Sequence, residues 1–162
     1  MGEEALEAEV VKLLKEYNLT VSTAESCTGG LIAGRLVNVS GVSKVFLEGF
    51  VTYSNEAKKK RLGVKTGTLE KYGAVSEQTA KEMAAGGAFA AGTDACIAVT
   101  GIAGPKSDGR KPVGLVYMAC CLNGKITAEE HHFKGNREEI REQTVISALE
   151  LLRKSVLSAH NS

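Results

Sequence analysis

The sequence predicts an α/β protein with three layers, in which helices cover both faces of a mixed, mostly parallel central sheet that includes one antiparallel hairpin. After a first helix, the predicted elements follow the order βαβαα and then αβββα, which indicates this layering. Residues 94–100 form an apolar run typical of a strand buried on both faces. Asn123-Gly124 separates two extended stretches and is a strong hairpin signal. At 162 residues the chain fits a single domain, residues 1–162.

The first half of the chain alternates helical and extended patterns. Residues 3–17 predict an amphipathic helix, because apolar side chains recur there at helical spacing. Residues 19–24 and 45–53 are rich in β-branched and apolar residues and predict two strands. The remaining predicted elements of this half are a helix over 29–38, a turn over 38–43, and two short helices over 55–62 and 66–72, the first of them capped by Ser54.

The second half predicts one long helix, three strands and a final helix. The helix over 76–92 contains many small side chains, which allow close packing on a sheet. The strand over 94–100 is followed by a loop and then by the hairpin strands 113–122 and 125–133. Asn136 caps a helix that extends to about residue 157, and residues 159–162 are predicted to fray.

Ser26 lies at a predicted strand-to-helix junction, in one of three loops (25–30, 53–58 and 100–105) that should meet at the ligand-binding end of such a sheet. The first N–H groups of a helix have no intrahelical partner, so they favour a ligand phosphate or the oxyanion of an acyl-transfer intermediate. Gly29 and Gly30 would let a ligand approach the backbone closely. The alternative is an ordinary helix cap with tightly packed glycines.

A serine nucleophile needs a base within hydrogen-bonding distance. His131 and His132 lie in a hairpin strand, where one of them should face solvent, and neither has an obvious orienting carboxylate. His160 lies in the tail. A Ser-His-Asp triad is therefore disfavoured.

Lys58 is the alternative base, because it follows the strand over 45–53 closely enough to reach Ser26. Burial and neighbouring cations would lower its pKa towards the working range. Tyr53 is placed to relay a proton or to fix the lysine. The alternatives are an exposed lysine in a basic run and a strand-end tyrosine with a hydrated hydroxyl.

Cys27 is a second candidate nucleophile. A thiol at a helix N-terminus has a lowered pKa and can attack an amide. The alternative is a small buried residue that only packs. Spacing alone does not choose between Ser26 and Cys27.

Two further features suit an anionic ligand. Gly101 to Gly104 form a glycine-rich loop whose amides can bind an anion, although a simple turn before Pro105 also fits. Arg137 and Arg141 lie one turn apart near the start of the last helix. They fit either a bidentate clamp on a phosphate or surface pairing with neighbouring glutamates.

The composition excludes several classes of protein. A net charge of +1 and the absence of Trp argue against direct nucleic-acid binding. No apolar run approaches the roughly 20 residues of a membrane span. The four cysteines match no zinc motif, so we expect reduced thiols and a cytoplasmic location. Alanine-rich helix faces and apolar hairpins are compatible with a homodimer.

Four blocks of the sequence together resemble the CinA C-terminal domain family: residues 23–30 (TAESCTGG), 49–58 (GFVTYSNEAK), 73–77 (GAVSE) and 100–105 (TGIAGP). The resemblance extends over about residues 5–157. Characterised members are nicotinamide-nucleotide amidases, so it implies hydrolysis of nicotinamide mononucleotide to nicotinate mononucleotide and ammonia. It implies Ser26 as nucleophile with Tyr53 and Lys58 as activating partners, disfavours Cys27, and requires neither a metal nor a cofactor.

In the mechanism expected on this basis, backbone amides near Thr28 to Gly30 hold the oxyanion. The substrate phosphate rests on the Gly101 to Gly104 amides or near Arg137. The candidate substrate-binding residues are therefore Thr28, Gly29, Gly30, Thr100, Gly101, Gly104 and Arg137. A non-catalytic mononucleotide-binding module is the alternative function, and a role in DNA uptake or recombination is disfavoured by the charge.

Overall fold

The computed structural model describes residues 4–161, and every helix and strand predicted from the sequence is present. The helices are α1 (Leu6–Glu16), α2 (Leu31–Leu36), α3 (Asn55–Leu62), α4 (Thr66–Tyr72), α5 (Glu77–Ala91) and α6 (Arg137–His160). The strands are β1 (Val21–Glu25), β2 (Phe46–Val51), β3 (Ala95–Gly101), β4 (Leu115–Leu122) and β5 (Lys125–His132). A short 3₁₀ helix, Val42–Lys44, overlaps the end of the predicted turn.

The two chain ends differ from the sequence-based expectation. The start predicted for α1, Glu3, lies outside the described residues, and the helix begins at Leu6. Fraying from residue 159 is wrong for His160, because α6 continues to that residue and its ring stacks on the Tyr17 ring at 3.7 Å between centroids. Ser162 lies outside the described residues. None of the helices in residues 4–161 is both long and apolar enough to cross a bilayer.

The five strands form one sheet in the order β2-β1-β3-β4-β5. Strand β1 pairs in parallel with β2 and β3, whereas β4 is antiparallel to both β3 and β5. Four of the five strands therefore run in one direction, and the hairpin at Asn123-Gly124 forms the antiparallel end. The mixed sheet predicted from the sequence is confirmed.

Helices cover both faces of this sheet. Successive side chains of a strand point to opposite faces, so each strand contributes to two separate cores. On β3, Ile97 belongs to the core that packs against α1, α2 and α6, while Cys96 belongs to the core that packs against α5. The neighbours Cys120 and Cys121 divide in the same way. All four cysteines are buried and free.

Local signals position α3, which carries Lys58. The Ser54 hydroxyl accepts a hydrogen bond from the N–H of Ala57 at 3.1 Å and so caps the helix. Gly63 ends it with a left-handed φ of 69°. Helix α5 approaches α3 so closely that a Cβ added at Gly86 would lie 1.7 Å from the Leu62 carbonyl oxygen.

Candidate active site

A cavity of about 440 Å³ lies where the carboxyl ends of β1, β2 and β3 meet. Most of the residues singled out from the sequence line it. These are Ser26, Cys27, Tyr53, Lys58, Thr100, Gly101, Gly104 and Arg137, and they are joined by Asn55, Ala74, Val75, Ile102, Ala103, Lys106, Ser107 and Asp108. Thr28, Gly29 and Gly30 do not line the cavity.

The amine of Lys58 lies beside the hydroxyl of Ser26. Its Nζ atom is 3.2 Å from Ser26 Oγ and donates a second hydrogen bond, of 2.7 Å, to the backbone carbonyl of Thr52. Only 2% of Lys58 is exposed, although it stands in a run of three lysines. The exposed-lysine alternative is therefore wrong, and the amine is fixed within hydrogen-bonding distance of the candidate nucleophile.

Burial lowers the pKa of Lys58 from 10.5 to about 8, because an ammonium group loses hydration in this position. A partly neutral amine near physiological pH is what a general base requires. The two hydrogen-bond partners of the Lys58 amine, the Ser26 hydroxyl and the Thr52 carbonyl, are both uncharged. Neither of them is a carboxylate that would stabilise the ammonium form.

Cys27 packs in the core and is only 4% exposed, although it also lines the cavity. Burial raises the pKa of its thiol to about 11, despite the opposing effects of Arg141 and Lys58. The thiol is therefore protonated at neutral pH, and a protonated thiol is a poor nucleophile. Of the two neighbouring candidates, Ser26 is the one that contacts a base.

The backbone N–H groups at the start of α2 donate to an internal carboxylate, which the sequence analysis did not predict. The fully buried carboxylate of Glu25 accepts hydrogen bonds from the backbone N–H groups of Gly30, Ile32 and Ala33 at 3.2, 2.9 and 3.0 Å. It also accepts a 2.6 Å hydrogen bond from the hydroxyl of Thr28. This carboxylate occupies the place expected for a ligand anion.

The amides of Gly29 and Gly30 are therefore not free donors. The Gly29 N–H donates to the Ser26 carbonyl at 3.0 Å, and the Gly30 N–H donates to Glu25. The structure does not support the predicted roles of Gly29 and Gly30 in holding the oxyanion or the phosphate, since their amides and the Thr28 hydroxyl already donate to internal acceptors. The role of the Thr28 N–H group stays a prediction. The left-handed φ values of 59° and 103° at the two glycines instead allow the chain to turn into α2.

Tyr53 accepts a hydrogen bond from Arg137 and forms none with Lys58. Arg137 donates to the Tyr53 hydroxyl at 2.9 Å and to the Gly104 carbonyl at 2.5 Å, so it joins two sides of the cavity. In the described part of the chain, no hydrogen bond connects Tyr53 with Lys58 or Ser26. The prediction that Tyr53 fixes the lysine is wrong, because the Thr52 carbonyl does so.

The loop after β3 forms the opposite wall. The buried Thr100 hydroxyl donates to the Ala74 carbonyl at 2.9 Å and thereby ties the segment before α5 to the cavity. A side chain at Gly101 would meet Val116 and the Leu115 carbonyl within 2.9 Å, so this position accepts only glycine. Gly104 has a left-handed φ of 88°.

Arg141 does not share a phosphate clamp with Arg137. Its guanidinium donates to the Cys27 and Thr28 carbonyls at 2.9 and 3.1 Å, so it fixes the loop that carries Ser26. Neither the paired clamp nor the predicted surface pairing with neighbouring glutamates is observed for this residue. Only Arg137 of the two lines the cavity.

The histidines lie outside the cavity. His131 and His132 do have carboxylate partners, Glu129 at 2.9 Å and Glu130 at 2.7 Å, contrary to the prediction. Both pairs lie on β5, two strands beyond β3. A larger groove of 670 Å³ includes His131 but none of the candidate catalytic residues.

Two parts of the site were not predicted from the sequence. The Thr52 carbonyl is a backbone atom and has no residue signature. Glu25 lies five residues before Gly30, the N-cap residue of α2, so it is outside the usual cap position and residue spacing does not mark it. Among residues 4–161, no three His, Cys, Asp or Glu side chains are grouped so as to hold a metal ion.

Comparison with known proteins identifies the family of this chain. The model of the CinA C-terminal domain matches residues 3–156. The chain belongs to this family. A CinA-like protein from Kosmotoga olearia is 56% identical over 158 residues, which are 97% of this chain and 38% of that protein. This chain spans less than two fifths of the length of the curated relatives it matches.

Two solved structures extend the likeness to the whole fold. The competence/damage inducible protein CihA from Agrobacterium tumefaciens is 46% identical, with a TM-score of 0.85 over 94% of this chain and 97% of that one. A competence-damaged protein (CinA) superfamily protein from Enterobacter cloacae is 34% identical, with a TM-score of 0.87 over 95% of each chain. The CinA-family chain described here therefore shares both fold and sequence with these proteins.

Proposed function

We propose that this chain hydrolyses the carboxamide of nicotinamide mononucleotide to give nicotinate mononucleotide and ammonia. The observation that carries the proposal is the buried Lys58 amine 3.2 Å from the Ser26 hydroxyl, at the wall of an open cavity. The sequence blocks shared with the CinA C-terminal domain family, whose characterised members are nicotinamide-nucleotide amidases, suggest the substrate.

In the proposed reaction, neutral Lys58 accepts the proton of Ser26 Oγ as that oxygen bonds to the carboxamide carbon. The protonated amine then gives the proton to the amide nitrogen, and the carbon–nitrogen bond breaks to release ammonia. Water, deprotonated by Lys58, attacks the resulting ester and frees Ser26. The Thr52 carbonyl keeps the amine in place throughout both steps.

The charges around the cavity suit a mononucleotide. Arg137 and Lys106 line the cavity and provide cations for a phosphate, and Tyr53 holds Arg137 in position. Asp108, whose pKa is lowered by the N–H groups of Lys111 and Arg110, contributes a carboxylate to the cavity lining. A negative charge there favours the cationic pyridinium ring of the substrate.

The test is ammonia release from nicotinamide mononucleotide by the purified chain. Ser26→Ala should lower kcat/KM by roughly 10³-fold or more, because the nucleophile is lost. Lys58→Met should lower it by roughly 10²- to 10⁴-fold. Cys27→Ala and the matched control Ser43→Ala, at an exposed serine outside the cavity, should keep most of the activity. Full activity in Ser26→Ala would overturn the mechanism.

A non-catalytic module is the second candidate, because the same cavity would bind a mononucleotide without turnover. Calorimetric titration separates the two functions. Binding of nicotinamide mononucleotide with no ammonia released by the unmodified chain would favour the module and contradict the amidase.

A further inference from the structure

The loop that follows Gly104 leaves the fold and returns to it at almost the same point. A Cβ added at Gly104 would lie 2.7 Å from a methyl group of Val113, so the two ends of the loop are in contact. Residues 105–110 between them are exposed. Compact surface loops whose ends lie close together are frequently functional. Residues 105–111 are called the strap below.

The strap borders the candidate active site. Its residues 106–108 line the cavity that contains the Lys58 amine and the Ser26 hydroxyl. The connection between α4 and α5 lines the same cavity through Ala74 and Val75. A change in the distance between the strap and this connection therefore changes the shape of the cavity.

The amine of Lys111 joins the strap to the α4–α5 connection. Its Nζ atom donates hydrogen bonds to the carbonyl of Tyr72, at 2.8 Å, and to the carbonyl of Val75. Tyr72 is the last residue of α4, and a cation is favoured at the C-terminal end of a helix. Among residues 4–161, no other hydrogen bond or ion pair links the strap to the rest of the chain.

The α4–α5 connection is held in place independently of Lys111. The Gly73 carbonyl accepts hydrogen bonds from the hydroxyls of Ser76 and Thr79 at 3.0 and 2.7 Å. The Ala74 carbonyl accepts one from the Thr100 hydroxyl. Loss of the Lys111 contacts should therefore release the strap and leave the connection where it is.

The strap also has hydrogen bonds of its own. The Asp108 carboxylate accepts from the backbone N–H groups of Arg110 and Lys111 at 2.9 and 2.7 Å. The Ser107 hydroxyl accepts from the N–H of Gly109 at 3.3 Å. These bonds do not depend on the Lys111 amine, so the released strap should move as one unit.

We propose that Lys111 is a positioning residue whose amine holds the strap closed over the cavity, and that the strap opens when this amine leaves its two carbonyls. The closed strap places residues 106–108 against the substrate, and the open strap lets the substrate enter and the product leave. The inference rests on the proposed function for the identity of the substrate. The closure of the strap rests on the contacts of Lys111 and is testable without substrate.

The first test measures opening by limited proteolysis of the full chain. Trypsin cleaves after Lys106, and the rate of cleavage reports how often the strap is open. In Lys111→Met this rate should rise at least about 10-fold, because two hydrogen bonds from a charged group are lost. Mass spectrometry identifies the cleaved bond, which is present in every variant, and circular dichroism should show native helix content throughout.

The matched control for this test is Arg110→Met. Arg110 is an exposed cation in the same strap, and in the described part of the chain its side chain forms no hydrogen bond. The rate of cleavage should change by less than about 2-fold, as expected at a surface position. Lys111→Arg keeps a cationic donor and should be cleaved more slowly than Lys111→Met. Equal rates in Lys111→Met and the unmodified chain would overturn the proposal.

The second test is steady-state kinetics with nicotinamide mononucleotide. Lys111→Met should raise KM by about 5- to 20-fold and change kcat by less than about 2-fold, because the strap contacts the substrate but takes no part in bond breaking. Arg110→Met should leave both constants unchanged. A fall in kcat with an unchanged KM in Lys111→Met would contradict the positioning role. If the unmodified chain released no ammonia, the proposed function would fail, and the trypsin rates would still decide whether Lys111 closes the strap.

Discussion

The carboxylate of Glu25 accepts a 2.9 Å hydrogen bond from the backbone N–H of Ile32, so the residue before Ser26 caps the helix that follows it. This link joins the end of β1 to the first turn of α2 and fixes the direction of the chain between them. Ser26 lies inside the closed loop, and Arg141 fixes the same loop from α6.

Replacing the Glu25 carboxylate should destabilise the fold. Glu25→Gln keeps the size of the side chain but places an NH₂ group against backbone donors in a fully buried position. We expect the free energy of unfolding to fall by about 2–4 kcal/mol, measured by urea denaturation. The control is Glu138→Gln at an exposed position on α6, which should change it by less than about 0.5 kcal/mol. Equal stability of the two variants would contradict the capping role.

The pH dependence of the proposed amidase should follow the Lys58 amine. Because burial lowers its pKa to about 8, the neutral form that accepts a proton becomes dominant above that pH. We expect kcat/KM for nicotinamide mononucleotide to rise with pH and to level off above about 8. Cys27→Ala should keep this profile, since burial raises the Cys27 pKa to about 11. A profile that is flat from pH 6 to 9 would exclude this assignment of the base.

Removing the Lys58 amine should change how stability depends on pH. The folded chain loses the lysine proton near pH 8, whereas the unfolded chain loses it near 10.5, so the unfolded state binds more protons between these values. The lysine's contribution to the free energy of unfolding therefore rises from pH 8 to 10.5 and is least below pH 8. In Lys58→Met this rise should be absent, and stability at pH 7 should exceed that of the unmodified chain by up to about 3 kcal/mol. Thermal melts at pH 7 and pH 10 measure the difference, and an identical pH slope in both proteins would refute it.

Tyr53→Phe should separate two possible roles of the hydroxyl. The structure joins it to Arg137, so its loss should raise KM about 3- to 10-fold through a less ordered arginine, with a smaller change in kcat. If the hydroxyl relayed the Ser26 proton, its removal would instead lower kcat by roughly 10²-fold. Steady-state kinetics distinguish the outcomes, with Tyr72→Phe, at a tyrosine that does not line the cavity, as the control.

Gly86 should resist substitution although it lies within a helix. Alanine usually stabilises a helix by about 1 kcal/mol relative to glycine, but here its Cβ would overlap the Leu62 carbonyl. We expect Gly86→Ala to lower the free energy of unfolding by more than about 3 kcal/mol. Gly34→Ala is the control, because no atom lies within 4 Å of the added Cβ, and it should raise stability slightly. Calorimetric melting temperatures that moved in the same direction for both would contradict the packing argument.

The elements of the fold were predictable because their signals are local. Helix α3 has the predicted bounds, since Ser54 supplies the cap and Gly63 supplies the left-handed end. The hairpin followed from Asn123-Gly124 in the same way, because only a few residue types adopt the backbone conformation of its turn.

The site was predictable only in part, because its contacts join distant positions. Sequence spacing brought Lys58 to the correct end of the sheet, but the Thr52 carbonyl that holds the amine is common to every residue type. The use of the α2 amides by Glu25 depended on a side chain reaching over eight positions to Ala33. Whether an internal acceptor or a ligand binds the same N–H groups depends on the three-dimensional positions of the side chains. Residue spacing does not specify these positions.

Anchoring of the amine by a main-chain oxygen has a consequence for variation among related chains. No exchange of side chain at position 52 deletes that acceptor, so the residue type there is constrained by packing and by the 3.5 Å hydrogen bond from its hydroxyl to the Glu25 carbonyl. The position of the Lys58 amine changes only if the backbone at the end of β2 is displaced. If the proposed amidase activity holds, its rate in natural variants should depend on the backbone position at residue 52 more than on the amino acid found there.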